Sequence, residues 1–168
     1  MVKIIGIIYK NKNEFGDFNF MINSGEYENC LFIYNDNEEN YYNKTCYKGK
    51  GNAIIRMYNK YSEYKENPYS AGIPTGSLKY KGYNELNERN KKIINDCIDD
   101  IQEIIKKNNK KTIYYSVNDK NGILGTNLFN VNNTVLEYIT YKIFDLSYKK
   151  IEIMDNKMNI INKIKRSN

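Results

Sequence analysis

The chain has no histidine and no tryptophan, and it has only two prolines and three cysteines in 168 residues. Without histidine there is no imidazole general base, no Ser-His or Cys-His nucleophile pair and no His-ligated metal. Cys30, Cys46 and Cys97 are odd in number and form no C-x-x-C pair. We therefore expect reduced, mostly buried thiols, with no disulfide framework, no zinc site and no bound cofactor.

Long hydrophobic runs are also missing. No segment is apolar over the length that a membrane span needs, and residues 1–9 are too short and too β-branched for a signal peptide. A composition of 40% hydrophobic and 27% charged residues is ordinary for a globular protein. We expect a single domain over residues 1–168, located in the cytoplasm.

The net charge of +6 is unevenly distributed along the chain. Residues 147–168 hold six Lys and Arg against two acidic residues, so this tail alone contributes +4. The rest of the chain is nearly neutral, and a basic tail is more often a solvated end than a nucleic-acid arm. Nucleic acid is therefore an unfavoured partner.

The 28 asparagines and 17 tyrosines are typical of an AT-rich genome.

Hydrophobic periodicity predicts an α/β fold. Helical spacing of isoleucines from Ile93 to Ile105 predicts a long amphipathic helix, and a second helix spans Val131 to Leu146, with a capping box at Thr134 and Glu137. A short helix is expected over 52–58, a loop over 38–50 and a terminal hairpin within 147–168. The predicted strands are residues 2–9, 18–22, 30–34 and 112–117. This order indicates a mixed central sheet flanked by helices.

Polar loops follow two of the predicted strands. Asn35, Asp36 and Asn37 come directly after one strand, and residues 116–125 come directly after another. In open α/β sheets, ligands bind beyond the carboxyl ends of the strands. Asp36 is a candidate acceptor for an adenine amino group, and the two asparagines are candidates for a ribose hydroxyl.

Glycines and small polar residues supply the remaining candidate contacts. Gly49 and Gly51 would let the backbone approach a phosphate, with Arg56 as a further phosphate or ribose contact. Phe129 is a candidate for stacking on a base. The other candidate ligand-binding residues lie in three segments: Asn52; Gly72, Thr75 and Gly76; and Ser116, Asn118, Gly122, Leu124, Gly125, Thr126 and Asn127.

Each of these motifs also has an ordinary structural interpretation. Asn-Asp-Asn and Asn121-Gly122 are common turn compositions. The Gly49 and Gly51 pair completes neither a P-loop, which needs Lys-Ser/Thr, nor the G-x-G-x-x-G pattern. Their order along the chain therefore carries more information than any single motif.

That order resembles the macro domain, a family of ADP-ribose-binding modules, over about residues 30–146. Residues 32–37 resemble the family's strand and Asn-containing turn, and 49–55 its glycine-rich first phosphate loop. Residues 71–83 resemble its middle segment, and 113–125 its second phosphate loop. The chain differs from the family in the first phosphate loop, where it lacks the usual run of three glycines. Gly16-Asp17 is similar to an early Gly-Asp of the family, but with a longer spacing to Asn35.

The resemblance implies a three-layer fold that binds an ADP-ribose derivative or a cyclic nucleotide signal. A small binder from an AT-rich genome fits a phage protein that sequesters such a signal in the host cytoplasm and so blocks defence signalling. No residue is assigned a catalytic role in this interpretation. The alternative is an ADP-ribosyl or nucleotide phosphoester hydrolase acting through Asp36, Asn52 or Asp119. A third hypothesis is a protein- or nucleic-acid-interaction domain that uses the basic tail.

Overall fold

A six-stranded sheet forms the centre of the molecule. The computed structural model describes residues 2–126, 129–147 and 150–165. The sheet contains β1 (Lys3–Ile8), β2 (Cys30–Asp36), β3 (Ser70–Pro74), β6 (Thr112–Val117), β7 (Lys150–Met154) and β8 (Ile160–Lys165), and a separate small ribbon contains β4 (Gly76–Ser77) and β5 (Lys81–Gly82). The strand order is β3-β2-β6-β1-β7-β8. All neighbours are parallel except β7 and β8, which pair antiparallel as a terminal hairpin.

The helices cover both faces of this sheet. They are α1 (Phe18–Asn23), α2 (Glu38–Tyr42), α3 (Glu88–Lys107), α4 (Asn133–Asp145) and a 3₁₀ helix (Gly51–Tyr58). One hydrophobic core joins α3 and α4 to one face of the sheet, and a second core joins α1 and the 3₁₀ helix to the other. The fold is thus a three-layer α/β arrangement with a mixed central sheet, as the sequence pattern predicts.

Alternation along β2 explains why both faces of the sheet are covered. Leu31 and Ile33 belong to the core under α3 and α4, whereas Phe32 and Tyr34 belong to the opposite core. Phe32 stacks on Tyr114 of β6, with ring centroids 5.1 Å apart. Side chains of a strand point alternately to the two faces, so a strand that is apolar throughout needs cover on both sides.

Three local predictions are wrong. Residues 18–22 form helix α1, because Asp17 caps it by accepting from the Phe20 amide and because Phe18, Met21 and Ile22 are buried at helical spacing. The expected loop over 38–50 begins with helix α2, which Asn37 caps. The capping box at Thr134 and Glu137 is replaced by Asn132, whose side chain accepts from the Thr134 amide.

The cysteines are unpaired. Cys97 is buried, and Cys30 and Cys46 are half-buried. Across residues 2–126, 129–147 and 150–165, no helix combines the length and the apolarity required to cross a bilayer.

The parallel pairing brings several loops to one edge of the sheet. β1, β2, β3 and β6 run in the same direction, so the segments that follow them all leave from their shared carboxyl edge. These segments include residues 9–17, 75–76 and 118–126 as well as Asn37, while Asn35 and Asp36, predicted as a loop, form the last two residues of β2. The candidate ligand contacts predicted from sequence therefore fall mostly at this edge.

Candidate functional site

A cavity of about 520 Å³ opens at the carboxyl edge of the sheet. Its walls come from the loop after β1, from the end of β2 and from the start of the 3₁₀ helix. The residues that matter for the argument below are Tyr9, Lys12, Asp17, Asn35, Lys50, Gly51 and Asn52. A volume of this size lies within the range of about 300–1,000 Å³ that small-molecule pockets occupy.

The start of the 3₁₀ helix supplies hydrogen-bond donors to this cavity. Gly51 has a φ of +57°, and no heavy atom lies within 4 Å of the position that its Cβ would take. The first amides of a helix have no carbonyl partner within the helix, which applies here to Gly51 and Asn52. Lys50, the residue before the helix, makes no side-chain capping bond to them. The result is a short run of amide donors and partial positive charge beside open space.

Asn35 also lines this cavity. Its side-chain Nδ2 donates to the carbonyl of Gly125 over 2.6 Å, which ties β2 to the loop that follows β6. Its Oδ1 has no hydrogen-bond partner among the described residues. This oxygen is buried, and only 5% of the residue is exposed. One N–H of the side-chain amide is engaged by Gly125, whereas the Oδ1 acceptor has no described partner. A buried acceptor without a partner is costly unless a ligand or water donates to it.

Asp36 and Arg56 form an ion pair inside the protein. Arg56 donates to Asp36 through Nη2 over 2.6 Å and through Nε over 3.2 Å, and both residues are almost fully buried. Burial opposes the charge of Arg56, but the hydrogen bonds and charge of Asp36 outweigh it and raise the pKa of the guanidinium. Both candidate ligand contacts therefore already have a charged partner in each other.

Two predicted glycine contacts make room for this ion pair. A Cβ on Gly49 would lie 2.8 Å from Arg56 Nη1, and a Cβ on Gly72 would lie 2.9 Å from Asp36 Oδ2. Neither glycine lines the cavity. Their lack of a side chain is explained by packing against Asp36 and Arg56, not by the approach of a ligand.

The other candidates near β2 and β3 also have structural roles. Asn37 caps α2 by accepting from the Asn40 amide over 2.9 Å. Gly76 lies against the neighbouring strand of the small ribbon, since a Cβ there would clash with the carbonyl oxygen of Lys81. Thr75 is fully buried, and its Oγ1 has no partner among the described residues. It follows β3 at the same edge as Asn35 but outside the cavity wall.

The loop after β6 is held tightly by its own contacts. Val117 forms an antiparallel bridge with Leu124, and the Gly125 amide donates to the Ser116 carbonyl over 2.9 Å. Asn118 packs on Gly125, where a Cβ would lie 2.7 Å from its Oδ1. These contacts close the loop on itself at the end of β6.

Gly122 within this loop faces the terminal hairpin. It has a φ of +77°, its carbonyl accepts from the Tyr115 hydroxyl over 2.7 Å, and a Cβ would lie 2.6 Å from Ile164 Cδ1. Burial raises the pKa of Tyr115. Leu124 is buried in the core, and its amide donates to Thr140 Oγ1 over 2.9 Å. These residues hold the loop in place and do not line the cavity.

The remaining predicted contact residues are Ser116, Thr126, Asn127 and Phe129. Ser116 is buried, Phe129 packs partly buried against the core, and the buried Oγ1 of Thr126 has no partner among the described residues. Asn127 lies outside the described residues. Of the eighteen candidates, the cavity wall contains Asn35, Gly51 and Asn52.

The sequence analysis missed the wall contributed by residues 9–19. Tyr9, Lys12, Asp17 and Phe18 line the cavity from this side. Asp17 is occupied, because its carboxylate accepts from the amides of Phe20 and Asn13 over 3.2 and 2.9 Å. The Gly16-Asp17 pair was the available signal, but the incorrect strand assigned to 18–22 concealed that these residues turn back over the cavity.

Comparison with protein-family models, with curated proteins and with solved structures finds no match to this chain.

Proposed function

We propose that this cavity binds a small phosphorylated nucleotide, most of all an ADP-ribose derivative or a cyclic nucleotide signal, without converting it. The observation that carries the proposal is the unpartnered Oδ1 of Asn35 in the same cavity as the start of the 3₁₀ helix at Gly51. One wall offers an acceptor and another offers donors. A ligand with both a hydroxyl group and a phosphate satisfies both.

The arrangement along the chain gives further support. Asn35 ends a buried strand, Gly51 begins a helix, and the loop after β6 contacts Asn35 through Gly125. This is the order in which the macro family resembles the chain, and we propose a divergent relationship to that family. The family supplies ADP-ribose as the first ligand to test.

The positions of the carboxylates favour binding over hydrolysis. A catalytic carboxylate needs a free oxygen near the ligand. Asp36 is engaged with Arg56, and Asp119 lies in an exposed turn where it accepts from the Asn121 amide over 2.8 Å. Asp17 accepts from two backbone amides. By analogy, a non-catalytic binder of this size acts by sequestering a host nucleotide signal, as a phage protein active in the host cytoplasm would.

Isothermal titration calorimetry with ADP-ribose tests the proposal, together with chromatography of the ligand recovered after denaturation. We expect saturable binding and intact ligand. Gly51→Ala adds a methyl group toward the cavity and should weaken binding at least tenfold. Gly25→Ala is the matched control, because Gly25 also has a positive φ of +76° and open space around it but lies outside the cavity.

The outcomes separate the alternatives. Cleaved product beyond one equivalent would support the hydrolase instead. Equal affinity in the Gly51→Ala and Gly25→Ala variants would remove Gly51 from the binding site. If ADP-ribose does not bind, mass spectrometry of small molecules released from the purified protein tests the wider class, and a protein that carries and binds no nucleotide contradicts the proposal.

A further inference from the structure

Two lysines line the cavity without an acidic partner. Lys12 belongs to the loop after β1, and Lys50 immediately precedes the 3₁₀ helix, so the two ammonium groups come from separate segments of the wall. Neither forms an ion pair or a side-chain hydrogen bond within the described part of the chain. The described ion pairs use Lys3, Lys60, Lys91, Lys92 and Lys150 together with Arg56 and Arg89.

Among the described residues, the nearest carboxylates in sequence form no ion pair with these lysines. Asp17 accepts from two backbone amides, and Glu14 accepts from the side-chain amides of Asn11 and Asn156 over 3.0 and 2.9 Å. Asp36 is paired with Arg56. Within a concave surface, unpaired charges of one sign reinforce each other and attract a counter-ion. The charged side chains that line the cavity are Lys12, Lys50 and Asp17, so the two lysines leave the lining with a net charge of +1.

We propose that Lys12 and Lys50 select ligands that carry anionic groups at two separate points. Lys50 and the amides of Gly51 and Asn52 form the first anion position, and Lys12 forms the second. The inference rests on the proposed function, and it makes Lys12 a specificity-determining residue. A separate observation at the same cavity is the Oδ1 of Asn35, which is buried without a hydrogen-bond partner among the described residues.

The inference ranks the candidate ligands. A ligand with two linked phosphates, or with phosphates at both ends of a nucleoside, can occupy both positions. A cyclic mononucleotide has one phosphate and can occupy only one, and adenosine has none. We therefore expect affinity to rise in the order adenosine, 3′,5′-cyclic AMP, ADP-ribose, and the advantage of ADP-ribose to fall as salt screens the charges.

Calorimetry with these three probes, on the wild-type chain and on lysine variants, tests the inference. Lys12→Gln should weaken ADP-ribose about fivefold, as expected for one exposed charge pair, and leave cyclic AMP unchanged. Lys50→Gln should weaken both ligands about equally. The matched controls are Lys10→Gln and Lys48→Gln, which remove exposed charges near each lysine but outside the cavity wall.

The results distinguish the failure of this inference from the failure of the proposed function. If ADP-ribose and cyclic AMP bind equally well, or if Lys12→Gln behaves like Lys10→Gln toward both, the selection by two charges is wrong while the binding function stands. If no variant and no wild-type protein binds any phosphorylated probe, the binding function itself is wrong. Thermal unfolding of each variant verifies that the fold is retained.

Discussion

The turn at residues 49–51 and the loop at residues 118–125 have similar compositions but different environments. Gly51 and Gly122 both have positive φ, at +57° and +77°. Gly51 faces the open cavity, whereas Gly122 lies against Ile164 and Ile153 of the terminal hairpin. Even within the first turn, Gly49 packs against Arg56 and Ala53. A glycine in a loop at the carboxyl edge of a sheet is therefore equally compatible with ligand contact and with close packing.

The same contrast applies to the charged residues. The sequence predicts Arg56 as a phosphate or ribose contact, and Lys12 is not among the predicted contacts. In the fold Arg56 is 4% exposed and bound to Asp36, while Lys12 is exposed on the cavity wall. The proposed anion contact is therefore placed at the lysine that has no ion pair, not at the arginine suggested by the motif.

The largest effect is expected from breaking the buried ion pair under the first turn. Arg56→Met would leave Asp36 buried without its partner, and we expect a loss of about 3–5 kcal/mol in the free energy of unfolding. Urea denaturation measures this loss. Arg89→Met is the control, because its ion pair with Glu38 has an arginine side chain that is 59% exposed. A similar loss in both variants would contradict the structural role given to Arg56.

Gly122→Ala tests the packing role of the second loop. The new Cβ meets Ile164 and Ile153 in a left-handed backbone conformation, so we expect destabilisation of about 2–3 kcal/mol. Affinity for ADP-ribose should stay within about twofold of wild type at a temperature where the variant is folded. A stable variant with lost affinity would reverse the assignment of the two loops.

Lys110 lies just before β6, at the edge of the sheet opposite to both loops. Its titration should make the stability of the fold depend on pH. Burial lowers the pKa of Lys110 to about 8, below the 10.5 of a free lysine, and only 2% of the residue is exposed. Its ammonium group still donates to the Glu28 carbonyl over 3.0 Å. The charged form is penalised in the folded state, so the penalty is complete below pH 8 and is relieved as the pH rises toward 10.5.

We therefore expect the free energy of unfolding of the wild-type chain to rise by roughly 2 kcal/mol relative to that of Lys110→Met between pH 7.5 and pH 10. The difference between the two proteins cancels the titration of groups that do not interact with Lys110. Cys30 is the exception, because burial raises the pKa of its thiol while the Lys110 ammonium group lowers it. Denaturation at a series of pH values measures the difference in stability, while affinity for ADP-ribose should not distinguish the two proteins at pH 7.5. A constant stability difference across this range would show that Lys110 titrates normally.

Gly51→Ala has the smallest expected effect on stability. The added methyl group meets no protein atom, so only the left-handed backbone opposes it, at about 1–2 kcal/mol. Gly25→Ala should lose a similar amount, since its surroundings are equally open. Together with Gly122→Ala, these variants separate the backbone contribution from the packing contribution. Melting temperatures of the three variants measured side by side check this order.

The sequence predicts the parts of this fold that depend on local pattern. β1 follows from a β-branched run, β2 and β6 follow from short, mostly apolar runs, and α3 follows from seven apolar residues at helical spacing. Helix α1 was missed because its apolar residues also alternate over a few positions, so the capping oxygen of Asp17 and the burial of Met21 decide the outcome. Such short segments have no unique period.

The site was predictable only in part, because its determining contacts are tertiary. Asn35 at the end of a buried strand and Gly51 at the start of a helix are visible in the sequence, and both line the cavity. The partner of Asp36 is 20 residues away, and the neighbour of Gly122 is a hairpin 42 residues away. The wall containing Lys12 depends on how the loop after β1 folds back. No local spacing encodes these contacts.

A titration of the ¹⁵N-labelled protein with ADP-ribose, followed by amide NMR spectra, tests the central claim most directly. The account predicts large, saturable shifts of the Gly51 and Asn52 backbone amides and of the Asn35 side-chain amide, with little change at Gly122. Unchanged Gly51 and Asn35 signals in a protein that binds the nucleotide, or the largest shifts at Gly122, would contradict it.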